Sequence, residues 1–123
     1  MLVKISSYNP SVAKPQTWEY IEDRYNKMLG GSHFMMKKLV LHIRETGLAS
    51  RLFAYTSMDR LVVSIYENID HQKEALHITF DLNQNRWHFV YFAIPFKDPE
   101  FVRTYPADKG IEKFDKFIRM INW

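Results

Sequence analysis

Three histidines, His42, His77 and His88, fall in stretches that read as β-strands. If two of them met Asp81 or Glu67 on one sheet face, the rings and carboxylate could bind a metal or relay a proton. The spacing argues against it. No histidine pair stands at i, i+4 on a helix or at i, i+2 on a strand, the two local arrangements that aim both rings at one ion. A strand histidine is ordinarily a hydrogen-bonded packing residue, and His33 and His71 read as loop residues. Other chemistry lacks its parts. The chain has no cysteine, which removes thiolate ligands, thiol nucleophiles and disulfides. It has no G-x-S-x-G elbow, and its four glycines all fall at helix ends or turns, so none remains for a phosphate cradle. Neither a catalytic residue, a metal ligand nor a cofactor is assigned.

The remaining concentration of chemistry is aromatic. The stretch RWHFVYFAI, residues 86–94, carries Trp87, Phe89, Tyr91 and Phe92. Over seven residues, RWHFVYF resembles the end of the signature strand of the RNA-recognition motif, where aromatics stack on bases and a leading basic residue holds phosphate. Here His88 stands where that signature has a small residue, the glycine after the basic residue is missing, and no helix separates the first two strands. The chain is not assigned to that family. A more general arrangement for single-stranded nucleic acid needs an aromatic sheet face and a basic track beside it. Tyr55, Tyr66, Trp87 and Tyr91 would supply the stacking, and Lys37, Lys38, Arg44, Arg51 and Arg60 the track.

The elements that must position these residues follow from periodicity. With 123 residues, 46% of them hydrophobic and 25% charged, the chain suits one domain spanning 1–123. Lys and Arg outnumber Asp and Glu by 17 to 14 without forming a block, so charge alone implies no nucleic acid. The first residues lack the apolar core of a signal peptide, and the longest apolar run, 89–94, is too short to span a bilayer. A cytoplasmic, non-membrane protein is expected.

Trp18, Ile21, Tyr25 and Met28 recur at helical spacing until Gly30 and Gly31, which are expected to stop the helix. From Lys37 to Arg44 the apolar residues Leu39, Leu41 and Ile43 alternate, predicting a strand. RLFAYTS and RLVVSIYE flank Met58-Asp59 as one hairpin, and ALHITFDL and RWHFVYFAI flank a second turn. In that second hairpin the loop LNQN would set Asp81 opposite Arg86 and Phe80 opposite Trp87. The loop NQN would move every side chain to the other face. The first register is favoured for its ion pair and apolar face. Asp98 and Pro99 suit the start of a short helical turn. Ile111, Phe114, Ile118 and Ile121 line a C-terminal helix beginning near Asp108. The class is α+β, a meander-like antiparallel sheet of about five strands flanked by an N-terminal and a C-terminal helix.

In such a meander the strand 86–94 would be a long apolar edge needing cover, by a helix, by closure of the sheet, or by a second copy of the chain. A homodimer through 86–94 is therefore expected. Methionines including Met35 and Met36, and the C-terminal Trp123, suit an adaptable interface. On the simpler account Met28, Met36 and Met120 fill the core. By elimination the chain reads as a non-catalytic binding module for another protein, of the small chaperone, inhibitor, immunity or adaptor kind. Its expected contact residues are Tyr55, Tyr66, Tyr91, Phe101, Arg103 and Tyr105. Single-stranded nucleic-acid binding is the alternative, and an enzyme with a strand histidine site stands last.

Overall fold

The computed structural model describes residues 12–27, 31–67, 69–70, 74–94 and 97–123. Along the chain these form β1 (Val12–Ala13), α1 (Trp18–Lys27), α2 (Gly31–Glu45), a 3-10 turn (Leu48–Ser50), β2 (Phe53–Ser57), β3 (Arg60–Ser64), β4 (Ile69–Asp70), β5 (Ala75–Asp81), β6 (Arg86–Phe92), β7 (Phe101–Pro106) and α3 (Gly110–Met120). The main sheet is antiparallel, in the order β2-β3-β5-β6-β7, while β1 and β4 pair separately. The class is α+β, with a helix pair before the sheet and one helix after it.

α1 forms as its spacing predicts, burying Trp18, Ile21 and Tyr25. Burial of these aromatics leaves polar atoms that need partners. The Trp18 indole donates to the Leu52 carbonyl at 3.0 Å, and the Tyr25 hydroxyl donates to the Asp59 carbonyl at 3.1 Å. α3 buries Phe114, Phe117 and Ile118 on the expected face, with Ile111 and Ile121 half-buried beside them. Of the methionines assigned to the core, Met36 is buried, Met120 is 64% exposed, and Met28 lies outside the described residues.

Two elements differ from the sequence reading. Residues 37–44 are not a strand but the middle of α2, and Gly31 opens that helix instead of ending α1. Gly30 lies outside the described residues. The apolar positions of this window satisfy both periods. Met36, Leu39, Val40 and Ile43 stand at i, i+3, i+4 and i+7, and these four are buried, whereas Leu41 is only half-buried. The Met, Lys and Leu residues that dominate the window have no β-branch and lose little rotamer freedom in a helix, which favours it over the strand. The second difference lies near the C-terminus. No helical turn forms at Asp98 and Pro99, and FVRTYP becomes β7, as its β-branched and aromatic residues favour.

The sheet still has five strands, with β7 in place of 37–44. That exchange removes the exposed edge. β6 pairs with β5 on one side and β7 on the other, so the homodimer expected through 86–94 has no free edge to form on. At one outer edge, Gln16 covers β2. Its amide N–H donates to the Ala54 carbonyl at 2.8 Å, and its side-chain oxygen accepts from the Thr56 amide at 2.9 Å. At the other edge, three alternate β7 carbonyls are engaged. Val102 accepts from Arg103 at 2.9 Å, Thr104 from Arg86 at 3.4 Å, and Pro106 from the Lys109 amide at 2.9 Å. Such occupied edges discourage strand addition.

The second hairpin takes the favoured register, with Asp81 opposite Arg86, Phe80 opposite Trp87 and Ile78 opposite Phe89. Its loop is 82–85. Asn85 takes the left-handed conformation at φ 55°, and the Asp81 carboxylate accepts from the Gln84 amide at 3.2 Å. This register turns Trp87, Phe89 and Tyr91 toward the helices, where they are buried in one cluster with Leu39, Ile43 and Phe114.

Candidate functional site

All three helices contribute to the core cluster on one side of the sheet, together with Ala54, Leu61, Val63, Leu76, Ile78 and Phe89. Among the described residues, no helix packs on the other side. Residues directly opposite in an antiparallel ladder share a face, so the register writes out that open surface in rows. One row runs Tyr55, Val62, His77, Val90 and Val102. On one side of it, Phe53 stands opposite Ser64 and Ala75 opposite Phe92. On the other side, Ser57 faces Arg60, and Thr79, His88 and Thr104 continue the row. Beyond these stand Asp81, Arg86 and Pro106. The face is therefore apolar at one end and polar at the other. Val62 and Ala75 are buried under Phe53 and Tyr55 as a small cluster apart from the main core.

Where the two halves meet, Arg60, His77, Thr79, His88, Val90 and Phe92 line a concavity of about 150 Å³. The Arg60 guanidinium lies 3.3 Å from His77 Nδ1. Arginine has no acceptor, so this contact requires Nδ1 to accept and the His77 proton to sit on Nε2. The His77 ring meets Phe92 edge-on at 5.0 Å between centroids. His88 Nε2 lies 3.9 Å from Asp81 Oδ2. Burial raises the Tyr55 phenol pKa against the opposing pull of Arg60, so the phenol stays neutral at physiological pH. Among the described residues, no group of three or more His, Asp and Glu side chains is arranged to hold a metal ion, and no helix is long and apolar enough to cross a membrane.

The residues expected to form the binding surface divide. Tyr55 lies on the open face. Tyr91 is buried on the helix side, and its ring packs against Phe117 and Trp123. Phe101 and Tyr105 also face the helices, half-buried, at 5.3 Å from Phe117 and 5.2 Å from Phe89 respectively. Arg103 covers the Phe101 ring at 4.7 Å. Tyr66 reaches Glu74, a residue that no motif or spacing singles out. The Glu74 carboxylate accepts from the Tyr91 hydroxyl, from Tyr66 at 3.4 Å and from the Trp123 indole at 3.2 Å. Burial, and then this carboxylate, push the Tyr91 pKa well above its ordinary value. Glu74 thus ties the C-terminal residue to the sheet, a structural task.

The basic and aromatic track for nucleic acid is not assembled. Trp87 is fully buried, with its indole donating to the Ala107 carbonyl at 3.0 Å, so its faces are out of reach of a base. Lys37, Lys38 and Arg44 are on α2. Lys38 lies 5.7 Å over the Phe34 ring, and Arg44 is bound by Glu19 and Glu22. Arg51 donates to the Trp123 carbonyl at 3.3 Å. Arg60 alone of this set is on the open face. Of the three strand-assigned histidines, His77 and His88 are diagonal neighbours there, whereas His42 is on α2 and pairs with Asp115 of α3 at 2.8 Å. Another concavity, of about 590 Å³, runs from Pro15 to Phe53 past Trp18. Arg44, its basic lining residue, is already neutralised by Glu19 and Glu22.

Compared with protein-family models, with curated proteins and with solved structures, the chain finds no match.

Proposed function

We propose that the protein is a non-catalytic binding module that recognises another protein through the open face of its sheet. The observation that carries this reading is the one-sided packing. Three helices bury one sheet face, while the opposite face keeps Tyr55, Val90 and Phe92 half-buried and Val102 52% exposed. An apolar area bordered along one side by Arg60, His88, Asp81 and Arg86 offers a partner apolar contact next to polar groups, the two ingredients of a protein interface. Nucleic acid is disfavoured because two of the four stacking candidates, Trp87 and Tyr91, are in the core, and the basic residues are dispersed, with Lys37, Lys38 and Arg44 on α2, Arg51 after the 3-10 turn and Arg60 on the sheet.

The test is capture from an extract of the source cell by the immobilised chain, compared across three variants. We expect a partner held by the wild type and by Phe34→Ser, which alters an exposed residue of α2, and lost from Tyr55→Glu and from Val102→Glu. Retention by both open-face variants, with circular dichroism unchanged, would place the interface elsewhere. Capture of nothing by the wild type would count against the reading.

A further inference from the structure

We propose that the concavity formed by Arg60, Thr79 and His88 seats a carboxylate of the partner, carried by a residue that is itself apolar or has an apolar neighbour. This inference rests on the open-face reading and names the chemistry of its anchor. Charge complementarity is the first argument. Arg60 is linked to no carboxylate among the described residues, in contrast to Arg44, which has two. Its guanidinium is nevertheless oriented, because His77 Nδ1 accepts one of its five N–H groups and leaves the others for a ligand. Thr79 and His88 line the same hollow. An arginine whose geometry is set in advance loses less side-chain freedom on binding, and a charge-assisted hydrogen bond is roughly twice as strong as a neutral one.

Size and sign select the occupant. A volume of about 150 Å³ is small beside the roughly 300–1,000 Å³ of sites that enclose a whole small molecule, so it suits one side chain or one chain end of a larger partner. Among the described residues of the five strands, the charged and titratable groups on this face are Arg60, His77, His88, Asp81, Arg86 and the Tyr55 phenol. The helices lie on the opposite side of the sheet. Arg86 is engaged by the hydroxyl and carbonyl of Thr104 at 3.4 Å, and Asp81 stands behind His88. The Arg60 charge attracts a carboxylate or a phosphate alike, and Asp81 behind His88 weakens that attraction for both, so the apolar part of the wall decides between them. Val90 and Phe92 complete the wall, so apolar atoms next to the carboxylate also gain contact.

The experiment follows the Arg60, His77 and His88 side-chain resonances and the Thr79 amide by NMR. Four probes are titrated into the full chain: N-acetylphenylalanine, its amide, acetate and inorganic phosphate. We expect saturable shifts with N-acetylphenylalanine, binding at least about 10-fold weaker for the amide and for acetate, and a loss of about 10-fold in Arg60→Gln, the size of one charge-assisted contact. Binding of the amide as tight as that of the acid would overturn the proposal, as would an unchanged affinity in Arg60→Gln. So would phosphate binding more tightly than N-acetylphenylalanine, or no saturation up to about 50 mM, well above the millimolar Kd such a contact supports. Partner capture separates the two readings. If Tyr55→Glu loses the partner and Arg60→Gln retains it fully, the carboxylate seat is wrong and the open-face interface stands.

Discussion

Gly110 is where a single added methyl group should damage this fold most directly. It is the first residue of α3 and is buried against Trp87. A Cβ built on it would lie 2.2 Å from both Cδ1 and Nε1 of the indole and 2.5 Å from Cε2. Ordinary carbon–carbon contact begins at about 3.5 Å, so the overlap is about 1 Å or more. Trp87 has no room to yield. It is fully buried, its N–H is held by the Ala107 carbonyl, and its ring is edge-on to Phe80 at 5.1 Å and to Phe89 at 6.4 Å. The start of α3 must retreat instead, loosening the helix that seats Phe114 and Phe117. Overpacking of a dense core costs about 1–3 kcal/mol, and the tightness of this contact argues for the upper end. Alanine returns at most about 1 kcal/mol of helix propensity, and less at a first helical residue. The net expectation for Gly110→Ala is a loss of about 2 kcal/mol, or about 6–10 °C in Tm for a chain of this length. Thermal and urea unfolding followed by circular dichroism measure it. In a Trp87→Leu background the clash partner is gone, so the cost of Gly110→Ala should fall by at least half, a coupling that a double-mutant cycle reads. Gly47→Ala is the comparison: at φ 82° with open space around it, only backbone strain of about 1 kcal/mol applies. A wild-type Tm in Gly110→Ala, or strict additivity with Trp87→Leu, would refute the packing argument.

Two further outcomes are expected. Burial foremost, with neighbouring carboxylates of Asp59 and Glu74, raises the pKa of Tyr25 and Tyr91 from 10.0, so above that pH the folded chain holds more protons than the unfolded one. Their contribution to stability is therefore complete below pH 10.0 and is lost as pH rises beyond it. Ultraviolet titration should show these two phenols ionising last, together with alkaline unfolding. Ionisation of all seven tyrosines near pH 10.0 with the circular dichroism intact would contradict this. Trp18, Trp87 and Trp123 are each 8% exposed or less, so emission should be blue-shifted and resist iodide, and a single-stranded oligonucleotide should leave it unchanged. Saturable, salt-sensitive quenching would instead revive the nucleic-acid reading.

What the sequence determined by itself is what local geometry controls. The stripes of α1 and α3 are legible because residues three and four apart necessarily share a helix face, and the second hairpin because a turn and one ion pair set its register within a few residues. α2 was not legible, since Met36, Leu39, Val40 and Ile43 fit a helix while Leu39, Leu41 and Ile43 fit a strand. Side-chain rotamer freedom tilts the window toward a helix, and packing of the first set against β5 and α1 completes the choice. β7 was hidden for a related reason. Asp98 and Pro99 carry a local helix signal, but Phe101–Pro106 gains a full ladder of hydrogen bonds only because β6 presents an unpaired edge at that place. The function of each aromatic turned on tertiary structure as well. Tyr55 and Tyr91 are both strand tyrosines, and which one meets solvent depends on the side of the sheet the three helices cover. The Arg60, Thr79 and His88 hollow draws on three strands, so its existence depends on strand order, which no local spacing encodes.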